Sequence, residues 1–410
     1  MNRLGQGISG ASLKEQQAET VDGRSGKEGD SSGWWDDLSI SAAATSNMAE
    51  VEQAWRQLEG RGIQSPGQSL DFTRAWIRRF DIPAERQLYV TGVANGKVVA
   101  LMPLWRTKML GADVLTWFAG SHVGCNAPLI DREELAALDS MGRTKLWQRM
   151  GRAMFGADLA YMPAMPRLDG ACMFDELGTG APEEYLYRAE FENWQECERM
   201  QRTKSRRKHD KQQITKLRAL GEVEFREFGP GKEALELIDK MFAQKACRFE
   251  QLGIKDPFAD ERTREFYKDM FRENSELGSR LQTLNLDGEM IAARYNLFHG
   301  DRFFVLITSM SEQEKIRPGS PGKQSTLFAI RSVFEAGFRV YDIGAGHSDE
   351  KKRWCNRKYP LDTRYFALTK KGMMVAGMHM FKVRVRRLIK ENEVLFSLFK
   401  TMRAAFNRKN

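Results

Sequence analysis

Residues 303–343 constrain the fold of this chain more than any other stretch. Residues 303–308 read as a strand, followed by the loop Ile316-Arg317-Pro318-Gly319-Ser320-Pro321-Gly322-Lys323, an amphipathic helix to Ala336 and a second strand at Arg339-Val340-Tyr341-Asp342-Ile343. A helix start leaves backbone N–H groups without partners and carries partial positive charge, and glycines let a pyrophosphate come close to that backbone. The expectation is a nucleotide-bearing acyl donor held by Arg317, Gly319, Ser320, Pro321, Gly322 and Lys323. An ordinary strand-to-helix turn, needing its Pro and Gly for geometry alone, is the competing reading.

The spacing excludes the commonest nucleotide loops, because no Gly-Lys-Ser/Thr ending and no GxGxxG opening a helix occurs. No Gly-x-Ser-x-Gly elbow supports a serine nucleophile. Five cysteines are scattered without CxxC or Cys/His ligand spacing, so neither structural zinc nor another metal is expected and a reduced compartment is the simplest setting. No apolar run reaches the roughly 18 residues of a membrane helix, and no secretory h-region opens the chain, so a cytoplasmic location is expected. The net charge of +9 is uneven: the first 50 residues hold four basic and eight acidic residues, leaving +13 on the rest. A surface so basic collects anions such as a CoA phosphate, an acidic carrier protein, a membrane surface or nucleic acid.

The 410 residues allow two domains. Residues 1–47 lack periodicity and read as a disordered leader, with Trp34 and Trp35 as a short docking element or merely exposed aromatics. Two halves then repeat one plan. Each has helical patterns, a hairpin closed by Asn95-Gly96 or Asp287-Gly288, a further strand, a Gly-containing loop and, more clearly in the second half, a helix. The economical inference is a matched pair of α+β units at 48–190 and 191–371. Between them, residues 199–220 form a cationic helix with Ile214, Leu217 and Leu220 on its apolar face, and residues 372–410 read as a basic amphipathic helix. That tail suits docking on its own domain, a short coiled coil or a peripheral contact with a membrane surface.

Residues 70–372 resemble the GNAT acyltransferases, and more narrowly the cellulose-biosynthesis CelD-like branch related to the tandem Fem aminoacyltransferases. The resemblance rests on Arg206-Arg207-Lys208, on Gln251-Leu252-Gly253-Ile254-Lys255-Asp256-Pro257-Phe258, on Ile291-Ala292-Ala293-Arg294-Tyr295-Asn296-Leu297, on Ser320-Pro321-Gly322-Lys323, on Gly337 through Gly344 and on Lys351-Lys352-Arg353-Trp354-Cys355. It implies tandem GNAT-like domains, each a central, mostly antiparallel sheet flanked by helices. It also implies acyl transfer from acyl-CoA or an acyl carrier protein to an amine or hydroxyl, in bacterial cellulose, exopolysaccharide or envelope biosynthesis. Glu350 stands where relatives tend to carry a tyrosine ahead of Lys351, which puts any role for that hydroxyl in doubt.

Acyl transfer to an amine needs a deprotonated amine, a polarised carbonyl and a proton for the leaving thiolate. Asp342, Glu350 and Lys351 are the catalytic candidates, with Asp349 and Arg353 beside them; Arg294, Tyr295, His347 and Trp354 are candidates for substrate binding. Arg294 and Tyr295 are neighbours on an interior strand, so one faces core and the other the opposite side; Arg294 is expected in the cleft. Each has a plainer alternative: Asp342 as a loop cap, His347 as an exposed side chain, Trp354 as core. The donor is expected in the second half, with the first half a degenerate copy shaping the acceptor cleft, because the loop Gly120-Ser121-His122-Val123-Gly124-Cys125 lacks the Pro-Gly turn. The rivals are a non-catalytic accessory of a polysaccharide synthase complex and a nucleic-acid binder; the latter has no aromatic platform on the basic helix, so no nucleic acid is expected.

Overall fold

A computed structural model describes residues 39–168, 176–272 and 278–391. The leader through residue 38, with Trp34 and Trp35, and the tail from residue 392 lie outside the described residues. The chain runs β1 (Ile40–Thr45), α1 (Met48–Gly60), α2 (Leu70–Phe80), β2 (Gln87–Ala94), β3 (Lys97–Met109), β4 (Ala112–Trp117), β5 (Leu129–Ile130), α3 (Arg132–Ala137), α4 (Ser140–Arg152), β6 (Leu159–Pro166) and β7 (Thr179–Glu190). It continues α5 (Trp194–Gln201), α6 (Lys204–Arg218), β8 (Val223–Phe228), α7 (Lys232–Gln251), α8 (Glu261–Asp269), β9 (Gly278–Leu286), β10 (Glu289–His299), β11 (Arg302–Met310), α9 (Pro321–Glu335), β12 (Val340–Ala345), α10 (Asp349–Trp354), β13 (Arg357–Ala367) and α11 (Lys370–Glu391).

The fold is mixed α+β. One 13-stranded sheet runs β1-β2-β3-β4-β6-β13-β7-β12-β11-β10-β9-β8, with β5 paired on β3. It is antiparallel except where β6 joins β4 and β12 joins β11. Both expected hairpins form, with Asn95 and Gly96 at φ 50° and 75° and Asp287 and Gly288 at 50° and 78°. Positive φ at both central residues is what lets so tight a turn follow the twist of its strands.

The halves exchange strands. β7, which ends the first half, pairs with β12, and β13, which ends the second, pairs with β6; β7 and β13 then zip to each other from Arg188↔Arg357 to Thr179↔Tyr365. A shared core reinforces the join. Phe72 on α2 meets Phe266 on α8 edge-on at 5.0 Å, and Arg79 makes a bidentate pair with Asp269 at 2.8 and 2.7 Å.

Two expectations change in detail. Ile40–Thr45 fell within the expected leader and instead form an edge strand on β2; its Ala-rich sequence carries little strand preference, so tertiary pairing decides it. The cationic helix is broken in two at Arg202-Thr203, because Thr203 caps a new helix through a hydrogen bond from Arg206 N at 3.2 Å. Leu217 is buried as expected, whereas Leu220 lies beyond the helix and is exposed.

Candidate active site

The turn expected to cradle a phosphate lies in the second-half crossover from β11 to β12. β11 and β12 pair over only three registers, Arg302↔Val340 to Phe304↔Asp342, and then diverge. Behind the divergence, Gln64, Ser65 and Pro66 and the loop residues Gly124 and Cys125 fill the gap, leaving about 10 Å³. A Cβ on Gly124 would lie 2.9 Å from Gly344 Cα, so only glycine permits this seal. Cys125 is part of the wall: its thiol donates to Gln64 O at 3.2 Å, and burial pushes its pKa up to about 12.

On the other side the mouth stays open as a cleft of about 230 Å³ lined by α7, β10, β11, α9 and α10. The first turn of α9 ends in it. A two-turn 3-10 helix (Glu314–Gly319) delivers the chain to Ser320, at φ 48°, and Pro321 occupies the first helical position, where its missing N–H costs nothing. No side chain among the described residues caps this helix, so the N–H groups of Gly322 and Lys323 are left for an external acceptor. The two glycines of the loop differ in purpose. A Cβ at Gly319 would lie 2.3 Å from Leu217 Cγ, so Gly319 serves packing on α6, whereas at Gly322 it would meet only Met310 Sδ at 3.2 Å. Ser320 Oγ accepts from Gln213 Nε2 on α6 at 2.8 Å, which fixes the loop.

Arg294 is placed by β10 into this cleft, buried, and ties three elements together. Its Nη2 donates to Thr326 Oγ1 and pairs with Glu350 Oε1 at 2.9 Å, with Gly322 O at 3.4 Å; Thr326 in turn donates to Gly322 O at 2.9 Å. The buried Tyr341 hydroxyl faces the Arg294 guanidinium, and burial pushes its pKa up to about 12. Glu350 keeps 36% of its side chain exposed at the cleft wall. Arg317 lies outside with its side chain 58% exposed, near Glu312 at 3.8 Å.

The remaining predicted residues lie elsewhere. Tyr295 points from the opposite face of β10 into the shared core, donating to Tyr267 O at 2.9 Å. Asp342 is buried behind the divergence, accepting from Arg188 Nε and from Gly344 N, both at 2.7 Å. Lys351 turns to the carbonyls of Gly344, at 3.3 Å, and Ala345; burial pushes its ammonium pKa down. His347 is exposed. Trp354 is buried against Trp194, under the Arg206 guanidinium at 4.4 Å.

Sequence reasoning missed Gln244, Lys245 and Arg248 on α7 and Glu312 after β11, all of which line the cleft. Burial lowers the Lys245 pKa, and Arg248 reaches Glu312 at 3.3 Å. Their signal was faint: the three on α7 continue, three to seven residues on, the line of the buried Ile238 and Met241, where a helix turning polar toward its end is also explained by solvent alone.

Residues 204–352 match the family model described as acetyltransferase (GNAT) domain. That stretch spans β8–β12, so the whole cleft lies in the part of the chain that is similar to GNAT acetyltransferase domains. The fold is similar to that of FemX, with a TM-score of 0.52 at 11% identity over 77% of this chain and 96% of that one. Other similar structures are a tandem GNAT protein from the clavulanic acid biosynthesis pathway (TM-score 0.41, 10% identity, 80% and 98% covered) and the C-terminal domain of a protein described as a lysylphosphatidylglycerol synthetase from Agrobacterium fabrum (TM-score 0.49, 10% identity, 81% and 95% covered). No curated protein sequence matches the chain.

Proposed function

We propose that the cleft transfers an acyl group from acyl-CoA to an amine or hydroxyl acceptor. The observation that carries this reading is the uncapped first turn of α9, which opens beside Gly322 into a cleft also lined by Lys245 and Arg248. The donor's pyrophosphate accepts from the N–H groups of Gly322 and Lys323, with the Lys323 and Arg317 side chains adding charge outside the turn. The acceptor nitrogen or oxygen attacks the thioester carbonyl carbon, the C–S bond breaks and the departing thiolate takes up a proton. Glu350 takes the acceptor's proton, directly or through water, while Arg294 positions both Glu350 and the first turn of α9. Asp342 and Lys351 act on structure, since their partners lie behind the cleft. The setting, bacterial cellulose or other envelope polysaccharide biosynthesis with a glycan-precursor acceptor, rests on the motif resemblance. A carrier-protein donor would use the same turn.

Calorimetric titration of CoA and acetyl-CoA into the wild type and Gly322→Asp tests the donor site. Micromolar binding is expected, weakened about 100-fold in the variant. A thiol-release assay over a panel of amines then tests transfer, with Glu350→Gln expected to lower turnover about 100-fold while CoA affinity is kept. A folded wild type that binds no CoA and releases no thiol would shift the reading to a carrier-protein donor or to a scaffold within a synthase complex.

A further inference from the structure

We infer that α11 lays its outer face on an anionic lipid bilayer. The helix is anchored firmly on its inner side: Val375 and Ala376 are buried, His379 Nδ1 meets Tyr365 Oη at 2.8 Å, and Gly372 passes so close to Asp158 O that any Cβ there would collide with it. Anchoring fixes which face looks outward. Met374, Met378, Phe381 and Val385 follow at steps of four, three and four, which at 100° per residue places them in one stripe opposite the anchored face. They are 62%, 49%, 70% and 36% exposed, so four large apolar side chains in line face solvent.

The charges flanking the stripe identify what covers it. Lys370 and Arg384 lie on one side and Lys382 on the other, all exposed, and no Asp or Glu occurs between Lys370 and Lys390. A second copy packed on this face would bring cations against cations with no acid to offset them, which opposes self-association. An anionic bilayer satisfies both features, taking the apolar stripe below its headgroups and the cations at their level. Beside Phe381 a groove of about 440 Å³, lined by Gly180, Ala181, Pro182, Met380 and Val383, gives a lipid chain room to lodge. No helix among the described residues is long and apolar enough to cross a membrane, so the contact is one of lying on the surface.

The test is co-sedimentation of the full chain with vesicles of phosphatidylcholine alone or mixed with phosphatidylglycerol. The wild type should bind the mixed vesicles and release with salt. Lys370→Gln/Lys382→Gln/Arg384→Gln should weaken that binding on the order of 100-fold, and Met378→Glu/Phe381→Glu should abolish it with the melting temperature unchanged, because both side chains are exposed. Two outcomes would overturn the inference: a wild type that stays in the supernatant with both vesicles, or a dimer in size-exclusion chromatography that Met378→Glu/Phe381→Glu disperses.

Discussion

The sheet's two parallel strand pairs, β4 with β6 and β11 with β12, are bridged by crossover helices whose first turns are opposites. α4 starts at Asp139, whose carboxylate accepts from Gly142 N at 2.6 Å, so the chain supplies its own anion. α9 starts at a left-handed Ser320 followed by Pro321, with no side-chain cap. The loops that leave β4 and β11 diverge in the same sense: the first presses Gly124 onto Gly344 and seals the other half's strands, while the second is pinned by Leu217 and Gln213 ahead of the uncapped turn. A repeated plan thus leaves one helix start without an internal anion, where the proposed donor site lies, and fills the other.

The largest expected effect concerns the wall. Asp342→Ala leaves the buried Arg188 charge without its carboxylate and should cost about 3–5 kcal/mol of unfolding free energy, read by denaturant unfolding. A variant as stable as wild type but inactive would instead make Asp342 catalytic and break the division between wall and cleft. Next, Gly322→Asp gives α9 the internal anion that α4 already has, and should weaken CoA binding by about 100-fold, or about 2.7 kcal/mol, by calorimetry. Donor binding lost through Gly124→Ala and kept in Gly322→Asp would reverse the roles of the two halves. Asp139→Ala should cost about 1 kcal/mol through the lost cap and leave CoA affinity unchanged; a drop in affinity would give α4 a part in donor binding. The smallest effect is in pH. Burial lowers the Lys351 pKa, so the folded chain holds this proton less tightly than the unfolded one. The resulting penalty is complete below the folded pKa and is relieved as pH rises from there to the unfolded value near 10.5. Lys351→Met should therefore flatten the alkaline rise of stability in urea titrations at stepped pH.

Local features were legible and exchanged ones were not. Asn95-Gly96 and Asp287-Gly288 specify their turns within two residues, and Ser320-Pro321-Gly322 marks a helix start by the geometry of its own backbone. The pairing of β7 with β12 and of β13 with β6 leaves no local trace, because a strand's partner is chosen by surfaces far along the chain. Asp342 shows why the site was harder to read than the fold. A carboxylate at a strand end looks the same in sequence whether it meets solvent, substrate or Arg188, and Arg188 lies 154 positions away. Arg294 and Tyr295 were separable by the alternation of a strand, and the face that holds the cleft is the one with Arg294. Lys245 and Arg248 were hidden because they continue the line of Ile238 and Met241, and a line that turns polar toward a helix end is the same for solvent as for a ligand.

The exchange of final strands also has a consequence for synthesis on the ribosome. The first half's sheet is completed by β13, which ends at Ala367, so its edge at β6 waits unpaired while some two hundred further residues are made. Vectorial folding, domain by finished domain, is therefore closed to this chain. A nascent first half needs protection of that edge until the last strand emerges, and a gene cut between the halves would produce two fragments, each missing the strand that the other carries.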